Sequence, residues 1–348
     1  FVRNMEQILT KNVQEKLSLL IEKCSRVVCI GHVNPDGDAL GSTLMIAKWL
    51  RRKGKTAHVV MPNRFPDFLS GIPNAEEIFC YDSFQEKVEE LISEADLIVM
   101  CDYSQRDRMG ELRQMVETNP CPCITVDHHL NPENYCDITI SRAEMCATCE
   151  VLCHVMNELG EMETLPVDEA ECLYVGMMTD TGAFTYNSNR SDVYECISML
   201  IRRGIDKDKL YRRLYWTMSP AKLRLEGYML YCKMHLIPEM HVAYMILNNK
   251  ERRMLGTKNG DTEGIVNMPL QIYGTKLSCL MSQDTEHPEQ YRVSLRSVDD
   301  FPCNELSAEF FSGGGHKNAA GGRFVGTESQ VTEQFIKAVK KYENMLKN

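Results

Sequence analysis

Three short apolar runs in this chain each end in side chains suited to polar chemistry. Val27-Val28-Cys29-Ile30 runs into Gly31-His32-Val33-Asn34-Pro35-Asp36-Gly37-Asp38. Leu97-Ile98-Val99-Met100-Cys101 delivers Asp102, and Cys123-Ile124-Thr125-Val126 delivers Asp127-His128-His129. Continuous apolar runs of this length read as strands buried on both faces, the habit of parallel sheets. Helical spacing separates them: Leu40, Leu44, Ala47 and Leu50 recur after the first run, 84–92 is helical, and a shorter helix lies around 112–116. Strand and helix in alternation predict an α/β domain with a doubly wound, mostly parallel sheet. In such a domain the segments leaving the carboxyl ends of the strands bind ligands. One Asp after a strand is commonplace, but three such endings together are hard to ascribe to chance.

The remaining pattern places these endings in the first of two domains. Residues 4–24 read as a leading helix, Thr56–Met61 as a strand, and 144–159 and 192–203 as helices. A helix beginning near Pro166 carries Ala170, Leu173 and Met177 on one face and stops at Thr179-Asp180-Thr181-Gly182, presenting Asp180 at an element end. The expected division is 1–205 for the first domain, 206–235 for a helical connector whose 207–232 reads as one long helix, and 236–348 for a smaller α/β domain with a mixed sheet. Its strands are read at Val242–Leu247, Lys276–Met281 and Tyr291–Arg296. Helices are read at Asn304–Phe311 and 328–345, with a glycine-rich run, Ser312-Gly313-Gly314-Gly315-His316, between them.

Charge limits the partners. With 49 acidic residues against 39 basic and a net charge of -10, the chain is poorly suited to gripping long duplex nucleic acid. A short anionic substrate carried on bound metal ions remains compatible with that balance. No signal peptide or membrane span is read, and the 15 cysteines sit largely in apolar runs, as buried thiols in a reducing, cytoplasmic compartment do. Cys146-Ala147-Thr148-Cys149 is a C-x-x-C pair, but it lacks a second pair at zinc-finger spacing.

Collected, the residues at element ends are His32, Asp36, Asp38, Asp102, Asp127, His128, His129 and Asp180. Mixed imidazole and carboxylate ligands suit manganese, iron, cobalt or zinc better than magnesium alone. Carboxylates crowded into one site repel one another unless cations balance them, and two divalent ions match the charge of Asp36, Asp38, Asp102 and Asp180. Water between two such ions is acidified to hydroxide near neutral pH, a nucleophile for phosphorus.

These motifs, in this order, resemble the DHH phosphoesterase superfamily: His32-Val33-Asn34-Pro35-Asp36-Gly37-Asp38, Asp102, Asp127-His128-His129 and Thr179-Asp180-Thr181-Gly182. Ser312–His316 with Asn318-Ala319-Ala320-Gly321 resembles the glycine-rich motif of the DHHA1 domain. The likeness covers roughly residues 20–345 and is greatest to NrnA-type oligoribonucleases, or nanoRNases. It implies a metal-dependent phosphodiesterase, exoribonuclease and phosphatase that cuts short oligoribonucleotides to 5′-mononucleotides and dephosphorylates 3′-phosphoadenosine 5′-phosphate. It implies two divalent ions, manganese first, with magnesium, cobalt or iron as alternatives.

By the same resemblance His32 and Asp36 hold one ion, Asp38, His128 and Asp180 the other, and Asp102 bridges them. His129 lies toward the substrate phosphate and Asp127 orients an imidazole. Arg296, the Gly313-Gly314-Gly315 backbone and His316 bind substrate, and Lys317 stands where many members have arginine. Expected partners are short RNA or small nucleotides, without membrane or long duplex, for a monomer or homodimer. Alternatives are a cyclic or linear dinucleotide phosphodiesterase, a RecJ-like single-strand exonuclease, a second-family inorganic pyrophosphatase, or a catalytically silent nucleotide-binding regulator.

Overall fold

The computed structural model describes residues 6–103, 105–130, 132–133, 135–258 and 260–347. The chain divides into two compact units, Phe1–Thr217 and Met218–Asn348.

In the first unit α1 (Lys11–Lys23) precedes β1 (Arg26–Ile30), α2 (Gly37–Arg52), β2 (Thr56–Met61) and β3 (Phe79–Cys80). Then come α3 (Gln85–Glu94), β4 (Leu97–Cys101), α4 (Arg113–Thr118), β5 (Cys123–Asp127) and β6 (Ile138–Ser141). Helices α5 (Thr148–Glu158), α6 (Val167–Asp180), α7 (Ser191–Arg202) and α8 (Lys207–Tyr215) complete it. The six strands form one parallel sheet in the order β3-β2-β1-β4-β5-β6. Alternate residues of each central strand serve opposite faces. Val27, Cys29, Leu97, Val99 and Cys101 pack in one core, while Val28, Ile30, Ile98 and Met100 pack in the other. The strand order reverses between β1 and β4, so the segments leaving those two strands diverge and open a crevice at the carboxyl edge. His32 and Asp102 leave the sheet at that point.

Helices α2 and α6 cross closely enough that side chains are excluded from the contact. A Cβ on Gly41 would lie 2.5 Å from the Cys172 carbonyl oxygen, and one on Gly176 would lie 2.2 Å from Cys149 Sγ and 2.7 Å from Asp38 Oδ1. The crossing brings the first turn of α2, with Asp38, beside the last turn of α6, with Asp180. Gly176→Ala should therefore displace Asp38 and lower stability by about 3 kcal/mol through overpacking. A thermal unfolding midpoint within a degree or two of the parent's would show that the crossing yields easily.

Several expectations shift at their edges. The leading helix starts at Lys11, where the Thr10 hydroxyl accepts from the Val13 N–H, instead of at residue 4; residues 4 and 5 lie outside the described residues. The 144–159 helix starts at Thr148, because Ala147 is extended. The edge strands β3 and β6 went unread, the first being two residues long. The stretch 207–232 is not one helix. It breaks after Tyr215, and Ser219 caps a new helix with Pro220 in its first position.

The second unit comprises α9 (Pro220–Tyr228), β7 (Met234–Ile237), β8 (Val242–Leu247), α10 (Asn249–Leu255), β9 (Leu277–Gln283) and β10 (Gln290–Ser297). It continues with α11 (Cys303–Phe311), β11 (Gly314–His316), β12 (Ala319–Val325), α12 (Glu328–Lys341) and α13 (Glu343–Lys347). Its sheet, ordered β11-β12-β10-β9-β8-β7, is antiparallel except for β8 beside β9, which makes it mixed as expected. The glycine-rich run contributes to a strand pair, β11 on β12, neither of which the sequence pattern marks as a strand. Among the described residues no helix is long and apolar enough to cross a membrane.

Candidate functional site

The chain leaving β1 builds the first wall of the crevice. His32 is buried, and its Nδ1 sits 2.8 Å from the Val33 carbonyl oxygen, so Nδ1–H donates there and Nε2 faces inward. That Nε2 lies 3.1 Å from Asp102 Oδ2 and 3.6 Å from Asp36 Oδ2, yet makes no hydrogen bond. A buried imidazole nitrogen facing two carboxylates is placed as a metal ligand would be. Asp36 caps α2: Oδ1 accepts from the Asp38 and Ala39 N–H groups at 3.0 Å each, which leaves Oδ2 for the crevice. Asp38, in the first turn, reaches the start of α5 and accepts from Thr148 N–H at 2.6 Å and Cys149 N–H at 2.9 Å. A carboxylate at a helix N-terminus is favoured by the exposed N–H groups there.

Asp102 stands at the centre. Its backbone adopts φ 64°, a left-handed conformation that turns the side chain back across the end of the sheet. Around it lie His32, His128 Nε2 at 3.5 Å from Oδ1, His129 Nδ1 at 3.4 Å, and the Thr148 hydroxyl, which donates to Oδ1 at 3.1 Å. His128 repeats the arrangement of His32. Its Nδ1 is 3.2 Å from the Met145 carbonyl oxygen, and its Nε2 is 3.4 Å from Asp180 Oδ2 and 4.0 Å from Asp38 Oδ2. Three groups have the closeness that a metal ion requires: His32, Asp36 and Asp102; Asp38, His128 and Asp180; and Asp102, His128 and His129. The third joins the first two. Mixed nitrogen and oxygen donors at that spacing can hold one or two divalent ions.

The electrostatics of the ion-free cluster show what the cations would replace. Burial pushes Asp38 up to about 8, with Asp102's charge adding to it and His128 opposing. Asp180 is pushed up to about 6, again first by burial. Burial also disfavours charge on His32, but nearby Asp102 and Asp36 outweigh it and raise the imidazole to about 10. Asp102 runs the other way: burial would raise it, but His32, His128 and His129 hold it at about 2. Both His32 and Asp38 are thus shifted toward their protonated forms, and cations held by the cluster would favour the deprotonated ones.

Asp127 and His129 form a separate pair. Asp127 is fully buried and its Oδ1 accepts from His129 Nδ1 at 2.9 Å, while Oδ2 accepts from the His129 backbone N–H at 3.2 Å. Beyond them lies a residue that the sequence reading missed. Arg108 Nη1 lies 2.9 Å from His129 Nε2 and 3.3 Å from the Asp102 carbonyl oxygen, and the Val33 N–H donates to the Arg108 carbonyl oxygen. Among the described residues Arg108 has no carboxylate partner. Nothing in its sequence surroundings sets it apart from Arg106, which pairs with Glu133 and Glu117. Cys146 and Cys149 carry free thiols, and the segment contributes backbone N–H groups to Asp38.

The substrate residues expected in the second unit lie together there. Arg296, on β10, pairs in register with Ala319 of β12 and Ser278 of β9, and its Nη1 donates to the Leu295 carbonyl oxygen. Gly314, Gly315 and His316 form exposed β11, separated from β10 by β12, with His316 in register with Ala319. Gly313 has no room for a side chain, since a Cβ would sit 2.0 Å from the Gly321 carbonyl oxygen, whereas Gly314 opens to free space. Lys317 pairs with Asp300 at 2.6 Å.

The DHH family, N-terminal domain, matches residues 26–177, and the DHHA1 domain matches residues 239–345. The "bifunctional oligoribonuclease and PAP phosphatase NrnA" of Thermus thermophilus is 26% identical over 310 residues, 89% of this chain and 87% of that protein. The protein of the same name from Bacillus subtilis is 24% identical over 291 residues, 83% of this chain and 86% of its own. A crystal structure of an exopolyphosphatase-related protein from Bacteroides fragilis superposes with a TM-score of 0.88 at 41% identity, covering 99% of this chain and all of that one.

Proposed function

The chain belongs to the DHH family and carries a DHHA1 domain, and from that premise we propose a manganese-dependent phosphodiesterase that cuts short oligoribonucleotides to 5′-mononucleotides. The same centre would remove the 3′-phosphate of 3′-phosphoadenosine 5′-phosphate. The observation that carries this reading is the pair of three-ligand groups joined through Asp102 and His128 at the crevice of the parallel sheet. The names of the NrnA relatives support the substrate.

In this mechanism His32, Asp36 and Asp102 would hold one cation, and Asp38, His128 and Asp180 the second, with Asp102 serving both. The donor chemistry fits: His32 and His128 each commit Nδ1 to a carbonyl and leave Nε2 for a ligand. When bound, divalent ions neutralise phosphate charge and acidify water. The chain does the rest by placement. The Thr148 hydroxyl and the α5 N–H groups fix the carboxylates of Asp102 and Asp38. Asp127 fixes the His129 ring, and His129 Nε2 accepts from Arg108. Arg108 keeps Nε and Nη2 free among the described residues and would clamp the scissile phosphate as charge builds on it. In the second unit Arg296, the Gly313–Gly315 backbone and His316 are proposed as substrate-binding groups.

Arg108→Ala should lower kcat/KM for a dinucleotide by about tenfold to a hundredfold, the value of one charged hydrogen bond, with the loss falling mainly on kcat, and leave bound metal unchanged. A parent-like KM and kcat would remove Arg108 from the site.

The exopolyphosphatase-related description of the Bacteroides protein favours a second reading, terminal cleavage of inorganic polyphosphate. One competition assay separates the two. It holds labelled RNAs from dinucleotide to long oligomer, 3′-phosphoadenosine 5′-phosphate, cyclic di-adenosine monophosphate, pyrophosphate and polyphosphate. The proposal expects di- to pentanucleotides to be consumed first. Efficiency that climbs steadily with RNA length, or polyphosphate as the best substrate, would overturn it.

A further inference from the structure

A second surface feature of the first unit has no part in the chemistry above. Helix α8 ends in Trp216, which is 71% exposed, whereas the chain's other tryptophan, Trp49, is 6% exposed in the core. Large aromatic side chains are usually covered, so an indole left in solvent beside other rings calls for an explanation. Trp216 lines a cavity of about 410 Å³ together with Tyr174, Phe184, Tyr211, Lys207 and Arg212. Tyr211 stacks on Tyr215 with ring centroids 4.8 Å apart, and Tyr174 lies against Phe184 at 5.7 Å, so two walls are aromatic pairs whose orientation is already fixed. Lys207 is matched by Asp208 at 2.6 Å, but Arg212 is in no salt bridge among the described residues. Asp208 lines the cavity as well and interacts with both cations, so the cavity offers flat π faces and one net positive charge.

Its floor adjoins the catalytic turn. Met178 and Ala183, on either side of Asp180, line the same cavity, and the Tyr215 hydroxyl donates to the Met178 carbonyl oxygen at 3.4 Å. The Ala183 N–H bonds to that same oxygen at 2.7 Å. An occupant here rests on the turn that carries a proposed metal ligand.

We infer that this cavity is a nucleoside site: it stacks a base of the substrate on Trp216 and Tyr211, with Arg212 facing the sugar-phosphate. The inference rests on the nucleotide reading above and deepens it, because a chain of bare phosphates has no face to stack. Base–aromatic stacking is tolerant of sequence, which suits an enzyme that takes short RNA of any composition.

Trp216 is its own reporter, since Trp49 is buried and gives a constant background. Titrating the full chain with adenosine 5′-monophosphate should quench its fluorescence saturably, and tripolyphosphate at equal charge should not. Tyr211→Ala should weaken the nucleotide affinity by about tenfold to a hundredfold, and Trp216→Phe should lose the signal while keeping the affinity measured by calorimetry. Trp216→Ala should raise KM for a dinucleotide by a similar factor. Absence of quenching in a protein that still hydrolyses dinucleotides would overturn the nucleoside site and leave the proposed function standing. Absence of quenching in a protein that hydrolyses only polyphosphate would overturn both. Equal quenching by tripolyphosphate would mark an anion site instead. A signal that follows protein concentration without nucleotide would mark contact with a second copy, and each of these last two results also overturns the inference.

Discussion

Asp102→Asn should lower turnover on a dinucleotide by roughly a thousandfold and reduce the bound manganese, while the chain stays folded. The expectation follows from the position of the residue. Asp102 is the carboxylate shared between two of the three ligand groups, and it is held at about 2 by the surrounding imidazoles, so it is ionised at every working pH. An amide of the same shape keeps the Thr148 hydrogen bond but carries no charge. Removing one member of a buried charged cluster costs about 3–5 kcal/mol, which is two to four powers of ten in rate or affinity. Asn suits this test better than Ala for a backbone reason. Position 102 sits at φ 64°, where Asp and Asn are tolerated and other side chains are strained. Metal counted by elemental analysis, with circular dichroism as the check on folding, reads the outcome. Activity within tenfold of the parent after metal is removed and restored would show that Asp102 serves no shared ligand role.

Much of the first sheet was legible because its strands are buried on both faces. A run such as Leu97–Cys101 has no polar member, and only a central strand of a parallel sheet uses such a run and then stops at an acid. Strands at the edges gave no such signal: β3 spans two residues and β6 is only half buried. The glycine-rich run carries no strand signal because glycine favours turns, yet Gly313 and Gly315 are needed in and beside this strand pair by their close approach to β12. The ligands were legible for a different reason: side chains at strand ends sit where the topology forces convergence. Arg108 and Thr148 were not, since each depends on how a loop folds back over the sheet. Spacing along the chain does not encode that return.

The ion-free protein should lose stability as pH rises, and metal should restore more of it the higher the pH. Asp38 and Asp180 have folded values of about 8 and about 6 against an ordinary value of 3.8. The folded chain then keeps protons that the unfolded chain has released, so stability falls between about pH 4 and about pH 8. His32 contributes in the same direction. Raised from 6.5 to about 10, it lends stability that is complete below the lower value and lost as pH passes the higher one. Asp102, held at about 2, opposes this only under acid conditions, where its contribution fades below 3.8. Divalent ions need these groups deprotonated, so binding releases protons and tightens with pH. At a hundredfold excess over the dissociation constant one ion adds about 2.7 kcal/mol, or roughly 5–10 °C in the unfolding midpoint of a unit this size. Calorimetry with chelator and with manganese, at about pH 6 and about pH 9, should show the gap between the two midpoints widening at the higher pH. A gap that stays constant or narrows would mean that the protons held by His32 and Asp38 are not the ones the metals displace.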